Sequence, residues 1–255
     1  MEVRFLGWSG FHLSIPGTEL VIDPHWSSWG GPTDAPWDLD ALSAVLVSHG
    51  HPDHCIDVPA LVDAHPEAVL VAGPLVVSHF AERIHTPTRE AEPGCRVSVG
   101  AATVTFLPGH HVAEGRLPQA KKFLRYATRR PRATAEIVWQ SLRCPRDAAV
   151  HSVCVELGGQ VVVHAAETLH AGTDLARLAR QVEGLEVALL LLGVEPGEEL
   201  AALEAAEVIG AREVLLFSPH APTRAHFGDH HEVRWELLAP LGADRARQGE
   251  RHLLA

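Results

Sequence analysis

The chain has 255 residues, 46% of them hydrophobic, which is enough for one large α/β domain with a sizeable core. Its 21 Lys and Arg stand against 32 Asp and Glu, a net charge of −11 with histidine neutral, and this argues against general nucleic-acid binding, which needs positive surface for phosphate. The 18 histidines are the anomaly, because a neutral imidazole is the commonest metal ligand and a frequent acid or base.

Val3–Leu6, Phe11–Ile15 and Glu19–Ile22 read as an antiparallel meander of strands around a Gly-Trp-Ser-Gly turn, closed by Asp23-Pro24. The opening residues do not read as a basic-then-apolar leader, and none is expected. Residues 25–38 are a loop by composition and carry Trp26, Trp29 and Trp37, which either rim a site or fold inward. Leu42–Val47 is a buried strand that runs into Ser48-His49-Gly50-His51, and a helix is expected from about Ile56 to Ala64. Val69–Ala72 is a strand and Leu75–Ile84 a helix. Arg96–Val99 and Thr103–Leu107 form a hairpin that leads to Pro108-Gly109-His110-His111.

Residues 112–148 break this rhythm and read as an insertion within a single domain, helical around Gln119–Thr128 and rich in Lys and Arg. Strands resume at Ser152–Leu157 and Gln160–His164. A helix at Thr173–Val182, a strand at Val187–Leu192, a helix at Glu198–Ile209 and a strand at Glu213–Phe217 follow. The run Val187–Leu192 is the longest apolar stretch and is too short to span a bilayer. No short repeat is visible. Cys55, Cys95, Cys144 and Cys154 show no C-x-x-C spacing, so they read as reduced thiols of a cytoplasmic protein.

The chemistry concentrates in Ser48-His49-Gly50-His51-Pro52-Asp53-His54, directly after a strand. In extended backbone residues two apart share a side, so His49 and His51 can share a metal. Pro52 keeps His51 extended. Asp53 and His54 then turn toward a second position near a helix start. Neutral nitrogen with carboxylate oxygen suits Zn2+, and also Mn2+ or Fe2+. Cys55, next in sequence, reads as a small buried packing residue rather than a thiol nucleophile.

His49-Gly50-His51-Pro52-Asp53-His54 resembles the H-x-H-x-D-H motif of the metallo-β-lactamase superfamily. The likeness is greatest to its branch with L-ascorbate-phosphate lactonase and N-acyl-phosphatidylethanolamine phospholipase D. Gly7, Leu20-Val21-Ile22-Asp23-Pro24, Glu204-Ala205-Ala206-Glu207 and Pro219-His220 resemble further features of that branch, and the likeness lapses over 112–150. It implies a four-layer α/β/β/α domain with a metal site at one edge. It also implies further ligands. A P-x-x-H pattern selects His111, and a P-G-H pattern selects His110. The family's Gly-Asp-Thr turn is represented by Ala166-Glu167-Thr168, so Glu167 stands for a bridging Asp with one methylene more, with His164 and His170 nearby as substitutes. His220 ends the set.

The resemblance thus assigns His49, His51 and His110 or His111 to one ion, and Asp53, His54 and His220 to another, with Glu167 between them. With one ion only, Asp53 becomes a general base. The implied activity is hydrolysis of a small ester, lactone, amide or phosphodiester by metal-activated water. An iron-dependent redox member of the same fold and a non-catalytic metal binder are the alternatives. Lys121, Lys122 and Arg125 of the insertion are candidates to meet an anionic group on the substrate.

Overall fold

A computed structural model describes residues 1–26, 39, 42–109, 124–145, 149–165 and 175–254. Its strands form two seven-stranded sheets. The first contains β1 (Glu2–Gly7), β2 (Gly10–Ile15), β3 (Thr18–Ile22), β4 (Leu42–Val47), β5 (Val69–Ala72), β6 (Thr88–Glu90) and, at its far edge beside β1, β14 (Arg251–Leu253). The second contains β7 (Arg96–Val99), β8 (Ala102–Pro108), β9 (His151–Leu157), β10 (Gln160–Ala165), β11 (Val187–Gly193), β12 (Glu213–Phe217) and β13 (Asp244–Arg245), in chain order. The helices are α1 (Pro52–Cys55), α2 (Val58–Ala64), α3 (Pro74–Phe80), α4 (Pro131–Leu142), α5 (Leu175–Val182), α6 (Glu199–Ile209) and α7 (Ala221–His226), with a 3-10 turn at Trp235–Leu241.

The two sheets share one plan. Across the first, the pairs β14–β1, β1–β2 and β2–β3 are antiparallel, and β3–β4, β4–β5 and β5–β6 are parallel. Across the second, β7–β8, β8–β9 and β9–β10 are antiparallel, and β10–β11, β11–β12 and β12–β13 are parallel. This two-fold plan lies in strand pairing and not in shared residues, so no repeat shows in the sequence.

Alternation along the strands builds the layers. Leu20 and Ile22 point between the sheets while Val21 points to the helices, and Leu189 and Leu191 face inward while Leu190 and Leu192 face outward. Phe5, Phe11 and Phe217 meet in the central layer, with centroids 4.9 Å apart for Phe5–Phe11 and 5.0 Å for Phe11–Phe217. Each such side chain contributes about 2 kcal/mol by leaving water. Residues of α2 and α3 cover the outer face of the first sheet, and α5, α6 and the 3-10 turn cover that of the second. The α/β/β/α order expected from the sequence is therefore present.

The strand assignments hold with small boundary shifts. The helix expected from Ile56 to Ala64 runs from Val58 to Ala64 with Pro59 in its first turn, and a short additional turn, Pro52–Cys55, precedes it with Pro52 at its start. Within 112–148, residues 124–129 are helical, and the longer α4 beyond them was not expected. The edge strands β6, β13 and β14 are two or three residues long, too short to show a period in sequence. Among the described residues no helix is long and apolar enough to cross a membrane.

Candidate functional site

The parallel strands of both sheets end on one edge, and the loops that leave them carry the polar side chains. The first is Asp23, directly after β3. Its φ of +49° is a left-handed conformation that Asp tolerates better than most residues. The carboxylate is fully buried and accepts from the Ser48 amide at 2.7 Å, the Ser48 hydroxyl at 2.7 Å and His54 Nδ1 at 2.8 Å. Burial pushes its pKa up, and the His54 imidazole, nearby His164 and the Ser48 amide outweigh that, holding it below the ordinary carboxylate value.

These contacts fix tautomers. With Nδ1–H donated to Asp23, the lone pair of His54 lies on Nε2, 4.0 Å from Asp53 Oδ2. The Ser48 hydroxyl gives its proton to Asp23, so Ser48 Oγ accepts from His49 Nδ1 at 3.1 Å. That leaves the lone pair of His49 on Nε2, which faces His51 Nδ1 at 3.1 Å. Two imidazole nitrogens bound to one tetrahedral ion at about 2.0–2.1 Å stand roughly 3.3 Å apart, so this pair has the spacing of two ligands.

The other side of the site comes from the second sheet. His220 follows β12 and points Nε2 at Asp53 Oδ2, 3.3 Å away. Its Nδ1 lies 3.7 Å from Glu195, the residue two beyond β11. Glu195 accepts from the Ser218 hydroxyl at 3.0 Å and the His220 amide at 2.9 Å, and it pairs with Arg224. Burial raises its pKa, while His220 and then Arg224 more than reverse this and keep it ionised. A carboxylate behind an imidazole sets ring orientation and basicity, the arrangement that supports metal-ligating histidines.

His49, His51, Asp53, His54 and His220 lie near one another at one edge, joined by the pairwise contacts above. His110, His111, Glu167 and His170 lie outside the described residues, as do Trp29, Trp37, Lys121 and Lys122. Among the described residues no group of three or more His, Cys, Asp or Glu is arranged to hold an ion. The fit is by donor type and pairwise spacing. His164, named as a substitute ligand, turns Nε2 to the Ser9 carbonyl at 2.9 Å and is buried against Phe11. Burial lowers its pKa, so it is neutral. Trp26 folds inward: it is buried in the helix-side core and its amide donates to Asp57. Arg125 pairs with Asp229 at 3.0 Å. Cys55 is buried, its thiol donates to the His51 carbonyl at 3.2 Å, and burial, then contact with Cys144, raises its pKa well above the ordinary value. It is a packing residue, as expected.

Glu195 and Arg224 were not singled out from sequence, and Ser48 and Asp23 were noted only as parts of motifs. The available signal was position, since each carboxylate follows an apolar parallel strand. His151, at the start of β9, was also missed. Its amide and Nδ1 both donate to the Ser48 carbonyl, at 3.1 and 3.2 Å, which ties the second sheet to the His49 strand.

Comparison with known proteins agrees with this architecture. A UPF0173 metal-dependent hydrolase of Carboxydothermus hydrogenoformans is 31% identical over 113 residues, which cover 44% of this chain and 48% of the relative. Another, from Haloarcula marismortui, is 35% identical over 115 residues, covering 44% and 46%. The chain thus matches about half the length of these curated relatives. Igni18, a metallo hydrolase of Ignicoccus hospitalis, superposes with a TM-score of 0.67 at 13% identity, over 100% of this chain and 99% of that one, a likeness of fold. Residues 18–217 match the model of the beta-lactamase superfamily domain. That span runs from β3 to the end of β12 and takes in the Asp23, His49 to His54 and Glu195 loops, so the chain belongs to the metallo-β-lactamase superfamily.

Proposed function

We propose that this chain is a metal-dependent hydrolase whose substrate is a small ester, lactone, amide or phosphodiester. The observation that carries the reading is the pairing of His49 Nε2 with His51 Nδ1 at 3.1 Å beside the pairing of Asp53 with His220 at 3.3 Å. The names of its relatives point the same way. His49, His51 and one of His110 or His111 would hold a first ion; Asp53, His54 and His220 would hold a second, with Glu167 between. When bound, Zn2+, Mn2+ or Fe2+ would supply Lewis acidity and a water that ionises near neutral pH.

The chain's own residues do the rest. Asp23 holds His54 in the tautomer that presents Nε2, through the 2.8 Å contact at Nδ1. Ser48 relays the same constraint to His49. Glu195 keeps Nδ1 of His220 protonated, so Nε2 stays available toward Asp53. With a single ion, Asp53 is the base, its carboxylate oxygen taking a proton that His220 can accept in turn. We read 112–148 as an insertion in one domain that shapes substrate choice, favouring an anionic group through Lys121 and Lys122. Four free cysteines, three of them buried, fit a reducing compartment such as the cytoplasm.

The test is metal analysis of protein purified without added metal, with turnover on a panel of the four substrate classes. One or two equivalents of transition metal, with turnover lost to a chelator and restored by metal, is the expected result. Metal-free protein with chelator-insensitive turnover would overturn the reading.

A further inference from the structure

Helix α4 is inside out. Thr134 and Gln140, polar residues, are 4% and 8% exposed, while Trp139 is 61% and Leu142 55% exposed. Ala135, Val138, Trp139 and Leu142 recur at i, i+3, i+4 and i+7, the period of one helix face, and all four are exposed. An amphipathic helix ordinarily turns that face to the core. Here it looks outward along a rod about 18 Å long.

The residues that flank the helix set that pose. At its C-terminal end the Arg143 carbonyl accepts from His79 at 2.7 Å and from Arg83 at 3.0 Å, both from the α3 side, which satisfies a terminal carbonyl. Cys144 is buried in the helix-side core of the first sheet. At the other end Tyr126 stacks on Phe227 with centroids 4.1 Å apart. The outward face is thus a property of the docked helix.

Charge identifies what meets it. Residues 124–143 contain five arginines and one acid, Glu136, in a chain whose net charge is −11. Arg132 lies three residues before Ala135 and seven before Trp139, on the same stripe, and Arg143 closes its other end; both are exposed. Arg129 and Arg130 are exposed just before the helix. Two copies meeting through this face would set arginines against arginines. An anionic lipid surface takes both components at once, with Trp139 and Leu142 at the headgroup boundary and the arginines against phosphate.

We propose that α4 is an interfacial docking helix by which the protein binds reversibly to bilayers rich in anionic phospholipid. Gly109 donates to the Val150 carbonyl at 3.2 Å, and the next residue, His151, bonds to Ser48. The insertion therefore leaves and rejoins the fold at the metal-site edge, so the docked face belongs to a segment rooted beside the site. The proposal does not depend on which bond the site cleaves.

Co-sedimentation of the full chain with vesicles tests it. Binding is expected to vesicles of equal parts phosphatidylcholine and phosphatidylglycerol, to be near absent with phosphatidylcholine alone, and to weaken as salt rises. The double variant Trp139→Ser, Leu142→Ser should lose binding without a change in the thermal melt, since both side chains are exposed. Arg129→Gln, Arg130→Gln, Arg132→Gln together should weaken it about 100-fold. No sedimentation with anionic vesicles, or binding that survives the double variant, would overturn the proposal. So would light scattering that shows a dimer dissolved by the double variant, because a second copy would then cover the face.

Discussion

The two halves of the molecule use one device and build it differently. After β3, Asp23 reaches to Ser48 just beyond the neighbouring parallel strand and backs the ring of His54. After β11, Glu195 reaches to Ser218 beyond the neighbouring parallel strand and backs the ring of His220. The first pair is 0% and 0% exposed, and the contact is 2.8 Å. The second is 33% exposed at the histidine and 15% at the carboxylate, the contact is 3.7 Å, and Arg224 shares the carboxylate. A buried carboxylate with every oxygen engaged locks a ring in place. Glu195 is also engaged at both oxygens, but a guanidinium shares it and its histidine is a third exposed, so that ring can shift. The first half is the rigid jaw of the site, and the second gives.

The largest effect should come where the jaws meet. Asp53→Ala should cut turnover by at least about a thousandfold, as loss of a base or of a ligand, with the melt nearly unchanged. Near-normal turnover would remove Asp53 from the chemistry. In the rigid jaw, Asp23→Ala leaves the Ser48 and His54 donors buried without an acceptor, and it should cost about 3–5 kcal/mol in urea unfolding. A cost below about 1 kcal/mol would show that burial there does not mean rigidity.

Acid should also find the rigid jaw first. Burial lowers the pKa of His25 to about 4 from 6.5, partly offset by Asp53 and Asp57, and burial lowers that of His151. These rings are neutral when folded and take protons when unfolded. The unfolded chain therefore binds more protons between about pH 6.5 and 4, and stability falls as pH falls through that window, by about 3 kcal/mol for His25 alone. The depressed pKa of Asp23 acts only lower, below the ordinary carboxylate range. Chelator-treated protein whose melting temperature is flat from pH 6.5 to 4 would contradict this.

The smallest effects belong to the compliant jaw. Glu195→Gln keeps an accepting oxygen but takes the charge partner from the mostly buried Arg224, and it should cost about 1–3 kcal/mol. Its readout is metal binding: titration of the apo-protein should give two unequal steps, with the weaker one loosened by Glu195→Gln and tightened by Glu167→Asp. Two equal steps, unmoved by either variant, would erase the difference between the halves.

The layer order and nearly every interior strand were legible in sequence, because Leu20-Val21-Ile22 and Val187–Leu192 alternate or run apolar over lengths that only strands use. The motif from His49 to His54 was legible because its donors are consecutive. Asp23 and Glu195 were not recognised as site residues, because their partners lie 25 or more residues away or across a strand, and a lone carboxylate after an apolar run has no spacing to betray it. The face of α4 was illegible for another reason: its stripe has the period of a core helix, and only the exposure of Trp139 and Leu142 shows that the stripe looks outward.

The bond from Gly109 to Val150 also bears on how this chain could change over generations. Between those residues the backbone leaves one strand and returns to its neighbour at the same rung, so β8 and β9 stay paired whatever the intervening chain contains. Closing a longer or shorter excursion costs only about 0.6 kcal/mol per doubling of length. Beyond His110 and His111, the segment can then be lengthened, trimmed or exchanged like a cartridge, while the edge that Ser48 and His151 hold together stays as it is.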